Sequence, residues 1–118
     1  MTLNQKLIAA LAPFGDPVVP ELYTGTAPRW YTFNYDLLPI TADNRPILYR
    51  ALIQVHYFCP LNENSLQRRV RTSNALAFAG CTWPNEVNAS GNERMQDETN
   101  PCQHFVFECE AVVPVERN

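Results

Sequence analysis

Two runs of alternating residues constrain the fold of this chain more than any other feature. The runs span Leu48–Cys59 and Gln103–Val113, and in both the odd positions are mostly apolar or aromatic. The even positions carry the polar residues Arg50, Gln54, His56, His104, Glu108 and Glu110. Because successive side chains of a strand point to opposite faces, this period of two predicts a sheet with one buried face and one polar face.

The first part of the chain predicts a helix followed by two shorter strands. Thr2 and Gln5 have the spacing of a capping box, so a helix is expected over residues 3–12, with an apolar stripe of Leu3, Leu7, Ile8 and Leu11. A strand near Val18–Tyr23 follows Pro17 and contains Pro20, and is therefore expected at a sheet edge. A further strand is expected over Trp30–Tyr35, where aromatic residues alternate with polar ones.

A second helix is expected between the two alternating runs. Asn62 or Asn64 can cap its start, and Gly80 supplies a left-handed stop after about Ala79. On a helical wheel the apolar stripe is Leu66, Val70, Ser73 and Ala77 with Leu76 on its flank, and Arg68 and Arg71 point away from it. This helix should lay a narrow apolar stripe on the sheet.

Three other segments are predicted from proline, glycine and polar content. Asp36–Ile47 is expected to be a connecting loop, and Cys81–Val87 a strand interrupted by a proline. Asn88–Pro101 has only Met95 as a large apolar residue, so it is expected to be a polar, mobile loop.

These elements predict one domain over residues 1–118 with an α+β fold. It should contain a mixed, mostly antiparallel sheet of four to five strands, with two main helices packed on one face. A formal net charge of −3 argues against a broad basic surface for nucleic acid. No apolar run reaches the roughly 18 residues that span a bilayer, so the chain is expected to be soluble, with its cysteines reduced.

The residues suited to chemistry do not form a convincing reactive site. His56 and Cys59 lie three residues apart and should leave opposite faces of a strand, which argues against a metal site completed by Cys102 and His104. No strand-to-helix nucleophile elbow accompanies any cysteine, and Cys59 and Cys109 are expected in the core. The sequence therefore predicts no enzymatic activity and no metal or other cofactor.

The polar residues also have ordinary roles open to them. Alternating carboxylates such as Glu108 and Glu110 are typical of a solvated strand face. The cluster of Arg68, Arg69 and Arg71 is expected to be solvated, with contact to an acidic partner as the alternative.

Four blocks taken in order resemble a known family. They are residues 31–35 (YTFNY), 53–60 (IQVHYFCP), 77–84 (AFAGCTWP) and 103–110 (QHFVFECE). Together they resemble small tail-completion or tail-terminator proteins, a group of minor tail proteins of long-tailed bacteriophages and prophages. The resemblance extends from Trp30 to Val113 and consists of strand and turn signatures.

This resemblance implies a virion structural protein that is not an enzyme. Such proteins assemble head to tail into a ring, commonly a hexamer, at the head-proximal end of the tail tube. The ring stops tube polymerisation and joins the tube protein to the head-tail connector, and DNA passes through it at most transiently. The implied location is the virion, with assembly in the bacterial cytoplasm.

The expected interface residues combine the polar sheet face with the second helix and the polar loop. They are Arg50, Gln54, His56, Arg68, Arg71, Met95, His104, Glu108 and Glu110. The alternative function is a small monomeric binding module or enzyme that uses the polar face around His56 and His104.

Overall fold

The computed structural model describes residues 1–90 and 102–114. The described elements are α1 (Leu3–Leu11), a 3-10 turn (Ala12–Phe14), β1 (Val18–Pro20), β2 (Trp30–Ala42), β3 (Arg45–Pro60), α2 (Leu66–Phe78), β4 (Asn85–Asn88) and β5 (Cys102–Pro114). The strands form one five-stranded sheet in the order β1-β2-β3-β5-β4. β1 runs parallel to β2, and the other neighbours are antiparallel. The α+β prediction is therefore confirmed.

Both helices pack on the same face of the sheet, which is the face formed by the odd-numbered residues of β2, β3 and β5. The largest buried side chains there are Tyr31, Phe33, Ile53, Val55, Tyr57, Phe105 and Phe107, joined by Leu3, Leu7, Leu11 and Leu76 from the helices. This layer is the hydrophobic core. The even-numbered residues face away from the helices, and we call that side the open sheet face.

The first helix matches its sequence signals closely. The Thr2 hydroxyl accepts a hydrogen bond from the Gln5 backbone N–H, and the Gln5 side chain accepts one from the Thr2 backbone N–H, so the capping box is present. Ile8, predicted in the apolar stripe, is exposed instead. The core contacts come from Leu3, Leu7 and Leu11, which lie one above another at spacing i, i+4.

The second helix ends at the predicted stop, but Ser65 rather than Asn62 or Asn64 occupies its N-cap position, without a side-chain capping bond, and its buried face differs in part from the prediction. Asn64 accepts a hydrogen bond from the backbone N–H of Leu66 at 3.3 Å. At the other end Gly80 has φ 104°, and its N–H bonds to the carbonyl of Ala77. The N–H of Cys81 reaches the carbonyl of Leu76, which completes a Schellman motif.

The predicted apolar stripe of α2 is correct at Ser73 and Leu76 but wrong at Leu66 and Val70. Leu66 and Val70 are exposed, whereas Thr72, Ser73 and Leu76 are buried. The Thr72 hydroxyl bonds to the Tyr31 hydroxyl at 2.8 Å under the helix. A hydrogen-bonded pair of hydroxyl groups therefore sets the rotation of α2 about its axis. A pattern of apolar residues cannot reveal such a pair.

The predicted loop at Asp36–Ile47 is also wrong, because β2 and β3 continue through it as a hairpin. Asp43 and Asn44 have φ of 52° and 62° and form the two-residue turn between the strands. Two positive φ angles are the signature of a type I′ turn, which suits the twist of a hairpin. Past the short pairing with β1, β2 has no described strand on its outer side, so Pro39 can sit in it without breaking a ladder on that side.

The short strands differ from the prediction at their ends. β1 stops at Pro20, and Glu21 follows with φ 66°. β4 begins only after Pro84, so the expected strand over Cys81–Val87 is shifted to later residues. Pro84 removes a backbone donor just before β4 and delays its pairing, whereas β1 ends where Glu21, still hydrogen-bonded to the carbonyl of Phe33, takes a positive φ.

The hairpin extends beyond the helices as a projecting arm, which we define as Asp36–Arg50. The described residues measure 53 × 25 × 23 Å, so the molecule is about twice as long as it is wide. Most arm residues are exposed, and the last pairing with β5 is Leu48 opposite Pro114. The hydrophobic core packs against the sheet only up to about this pairing.

The open sheet face as candidate functional site

The open sheet face brings together most of the residues predicted as an interface. Cross-strand register places Gln54 opposite Glu108, His56 opposite Val106, and Arg50 opposite Val112. All six residues predicted from the alternating runs lie on this face: Arg50, Gln54, His56, His104, Glu108 and Glu110. The period-two pattern was therefore a reliable guide to which side chains share a surface.

The two histidines contact each other directly. His56 Nδ1 lies 2.8 Å from His104 Nε2, and His56 Nε2 lies 3.1 Å from the Asn34 side-chain oxygen. The Asn34 amide nitrogen faces Gln54 at 3.4 Å, which fixes the orientation of the Asn34 side chain. Because the Asn34 oxygen can only accept, His56 Nε2 donates to it, and in a neutral pair His56 Nδ1 accepts from His104 Nε2–H. The pair needs one neutral acceptor nitrogen, so protonation of both rings would break it.

One end of the open sheet face is aromatic, a feature that the sequence analysis missed. Trp30 and Phe58 stack with ring centroids 5.0 Å apart, and Phe58 stacks on His104 at 4.3 Å. Tyr23, from the segment between β1 and β2, stacks on Trp30 at 5.3 Å. Trp30, Phe58 and His104 are all buried, although they lie on the side away from the helices. The sequence signal for this aromatic end was that Trp30 and Phe58 occupy even positions, which belong to the open sheet face.

The middle of the open sheet face is polar and slightly concave. A depression of about 400 Å³ is lined by residues that include Asn34, Asp36, Gln54, Glu108 and Glu110. Arg50 forms an ion pair with Glu110 at 3.0 Å, and both side chains are about half exposed. Such an exposed pair contributes little to stability, so it is available to contact another molecule.

The arginines of α2 do not behave as predicted. Arg68 does not point away from the core: it bonds to Asp16 at 2.6 Å and stacks over the rings of Phe14 and Tyr57. Desolvation is the largest single influence and opposes its charge, but the hydrogen bonds to Asp16 and Tyr31 and the electrostatic contributions of Tyr31 and Tyr57 together outweigh it and raise the pKa of Arg68. Arg68 therefore ties the helix layer to the sheet.

The other two arginines of the cluster differ from each other. Arg69 pairs with Glu86 and lies over the Phe105 ring at 4.4 Å. Arg71 is exposed, and its guanidinium lies 5.3 Å from the Phe14 ring centroid. Of the two predicted interface arginines on α2, Arg71 remains available to a partner.

A partly buried polar group lies just after β3, and sequence reasoning did not find it either. The Tyr57 hydroxyl donates to Glu63 at 2.7 Å, and Arg29 pairs with the same carboxylate. Burial alone would raise the pKa of Glu63, but the hydrogen bonds from Tyr57 and Arg29 prevail and lower it. Arg29 lies 34 positions from Glu63 in the chain, so no local motif marks this group.

Two of the four cysteines, Cys59 and Cys109, are core residues, and Cys81 and Cys102 are half-buried. Cys59 and Cys109 are buried, as predicted, and His56 leaves β3 on the side opposite Cys59. Burial raises the pKa of the Cys59 thiol to about 12, so this sulfur is not a thiolate at neutral pH. Within residues 1–90 and 102–114, no three His, Cys, Asp or Glu side chains are grouped so that they could hold a metal ion.

Met95, and the greater part of the polar loop predicted over Asn88–Pro101, lie outside the described residues. Among the helices that the structure describes, none is long and apolar enough to cross a membrane.

Comparison with known proteins does not assign the chain to a family. No family model matches the chain. No curated protein matches it either. Arguments about function therefore rest on the geometry of the open sheet face and the arm, together with the resemblance of the four sequence blocks.

Proposed function

We propose that this protein is a phage virion subunit that assembles into a ring at the head-proximal end of the tail tube. In this role it stops tube polymerisation and joins the tube protein to the head-tail connector. The four strand and turn blocks that resemble tail-terminator proteins support the proposal. The structural observation that carries it is the projecting arm, which exposes more apolar surface than an isolated subunit needs.

The arm carries several large apolar side chains in contact with water. Leu37, Leu38, Ile40 and Ile47 are each at least 40% exposed, and Val112 of β5 is 58% exposed beside them. Scattered apolar residues are normal on a surface, but Leu38, Ile40 and Val112 share the open sheet face, and several exposed apolar side chains on one face of a projecting element are typical of a protein contact. The arm is thus better suited to a neighbouring subunit than to solvent.

The polar part of the open sheet face would determine the orientation and the specificity of such a contact. The Arg50–Glu110 ion pair, the His56–His104 pair and Glu108 offer charges and hydrogen bonds that a partner must match. Polar groups of this kind contribute to specificity more than to affinity. Excess acidic charge on this face also favours weak, transient contact with any DNA that passes through a ring.

The test is in vitro tail assembly. Purified protein is added to polymerising tail-tube protein, and tube lengths are measured by electron microscopy, with light scattering for the free protein. We expect rings at tube ends and a halt to elongation. Tubes that keep growing, with no density at their ends and a free protein that stays monomeric at high concentration, would refute the proposal.

A second candidate function is a monomeric binding module centred on His56 and His104. The hydrogen-bonded histidine pair lies beside the depression of about 400 Å³, which is the observation in its favour. Small-molecule or metal titration of the wild type against a His56→Ala, His104→Ala double variant discriminates between the two functions. Binding that disappears in the double variant supports the module, and equal signals from both proteins exclude it.

A further inference from the structure

We propose that the arm of one copy packs against the groove between α1 and α2 of the next copy. This inference rests on the proposed ring and names the two surfaces that form it. The surface on the arm consists of the apolar side chains of its open sheet face, with Leu38 and Ile40 at the centre. The surface on the neighbouring copy consists of the apolar walls of the groove between α1 and α2.

The first surface is a short apolar strip. Leu38 lies opposite Arg50 and Ile40 opposite Leu48, so both side chains share the open sheet face of the arm. Val112 lies beside Arg50 on β5 and extends the strip across a third strand. These three residues are well exposed, so packing against a partner would remove apolar area from water.

The second surface is a groove of about 610 Å³ along the outside of the helix layer. Its apolar lining includes Ala9, Ala10, Pro13, Phe14, Ala75 and Phe78. The small alanines make the groove shallow, and Phe78 stands at its side with 96% of its surface exposed. An aromatic side chain this exposed at the end of a helix is expected to pack against a partner.

Charges on the two surfaces are complementary. Asp36 and Glu108 lie on the open sheet face, and neither forms an ion pair with another described residue. Arg71 lines the groove and Lys6 is exposed on α1, and within the described part of the chain these two also lack a carboxylate partner. Bringing the surfaces together would place acidic side chains of the open sheet face near Arg71 in the groove, which favours a second copy over an unrelated apolar partner.

The positions of the surfaces determine the type of assembly. The groove lies on the outside of the helix layer, and the strip lies on the opposite side of the sheet. A single copy cannot bring its own strip to its own groove, and a contact between unlike patches is heterologous. Such contacts produce head-to-tail assemblies that grow until a ring closes.

The experiment uses one charge variant for each surface. Ile40→Asp places a carboxylate in the strip, and Phe78→Glu places one at the groove. Thr41→Asp and Gln67→Glu are the matched controls, because they add the same charge at exposed positions on the same elements. Circular dichroism establishes that each protein is folded, and analytical ultracentrifugation measures self-association.

We expect each surface variant to weaken self-association by about tenfold or more, and the controls to assemble like the wild type. The decisive sample is an equimolar mixture of the two surface variants. A pair made of one molecule of each variant has one intact strip and one intact groove, so the mixture should form a 1:1 dimer and nothing larger. A folded mixture that stays monomeric, surface variants that assemble like the wild type, or a wild type that remains monomeric would each overturn the contact.

The result separates this inference from the proposed function. If the mixture dimerises but the wild type does not stop tail-tube growth, the contact stands and the tail role fails. If the wild type caps tubes while both surface variants still form normal rings, the tail role stands and the arm–groove contact is wrong.

Discussion

The hydroxyl pair between Tyr31 and Thr72 is expected to anchor α2 to the sheet, and a double-mutant cycle tests it. Both side chains are 0% exposed, and their oxygens are 2.8 Å apart. Thr72 has a single hydroxyl proton, which it donates to the carbonyl oxygen of Arg68 at 2.8 Å. Tyr31 must therefore be the donor in the pair. Burial raises the pKa of Tyr31, so this proton stays on the oxygen at neutral pH.

The two single changes should have unequal costs. Thr72→Val leaves the buried Tyr31 hydroxyl without its acceptor, which costs about 1–3 kcal/mol. Tyr31→Phe removes the donor but leaves the Thr72 bond to Arg68 intact, so about 0.5–1.5 kcal/mol is expected. The double variant lacks the Tyr31 hydroxyl, so the free-energy cost of leaving that group without an acceptor disappears. Its destabilisation should therefore fall short of the sum of the two single changes by about 1 kcal/mol.

Urea denaturation followed by circular dichroism measures each free energy of unfolding, at one protein concentration throughout. A loss of 1 kcal/mol corresponds to a fall in Tm of about 3–6 °C for a domain of this size. Thr26→Val, at an exposed position, serves as the control and should change stability by less than about 0.5 kcal/mol. Single changes that add within about 0.3 kcal/mol would show that the two hydroxyls do not act as a pair.

Two further predictions concern the carboxylate beneath Tyr57 and the turn of the arm. The pKa of Glu63 is lowered in the folded state, so its charged form stabilises the protein above its ordinary pKa, and this stabilisation is lost as the pH falls through the folded value. The stability difference between wild type and Glu63→Gln should therefore shrink as the pH is lowered from about 5 to 3, and a difference that is constant over this range would contradict the assignment. In the turn, Asn44 has φ 62°, so Asn44→Val should cost about 1–2 kcal/mol whereas Asn44→Gly should not destabilise. Thermal denaturation of both turn variants is the measurement, and an equal Tm for the two would show that the positive φ does not matter.

Features that depend on neighbouring residues were predictable. The capping box of Thr2 and Gln5 and the left-handed stop at Gly80 are local hydrogen-bond motifs, and both are present. The faces of β3 and β5 followed from alternation, because a buried core tolerates no slip of one residue. The shared placement of His56 and His104 on the open sheet face follows from the same rule.

The errors arose where distant residues decide the outcome. The segment Asp36–Ile47 contains prolines that usually break strands, but no strand of the described part of the chain pairs with the outer side of β2 there, so the sheet tolerates them. Arg68 is polar by composition, but Asp16 and two aromatic rings hold it against the core. In each case the partner is far away in the chain or lies on another element.

The sequence alone determined the two-faced sheet, the two helices and the α+β class, because these depend on periodicity and on caps formed within a few residues. Tertiary structure alone decided the rotation of α2, the extension of the arm and the direct contact between His56 and His104. Those features depend on pairs such as Tyr31 with Thr72, 41 positions apart in the chain. Their energies come from burial and hydrogen bonding, and both appear only when the elements have come together.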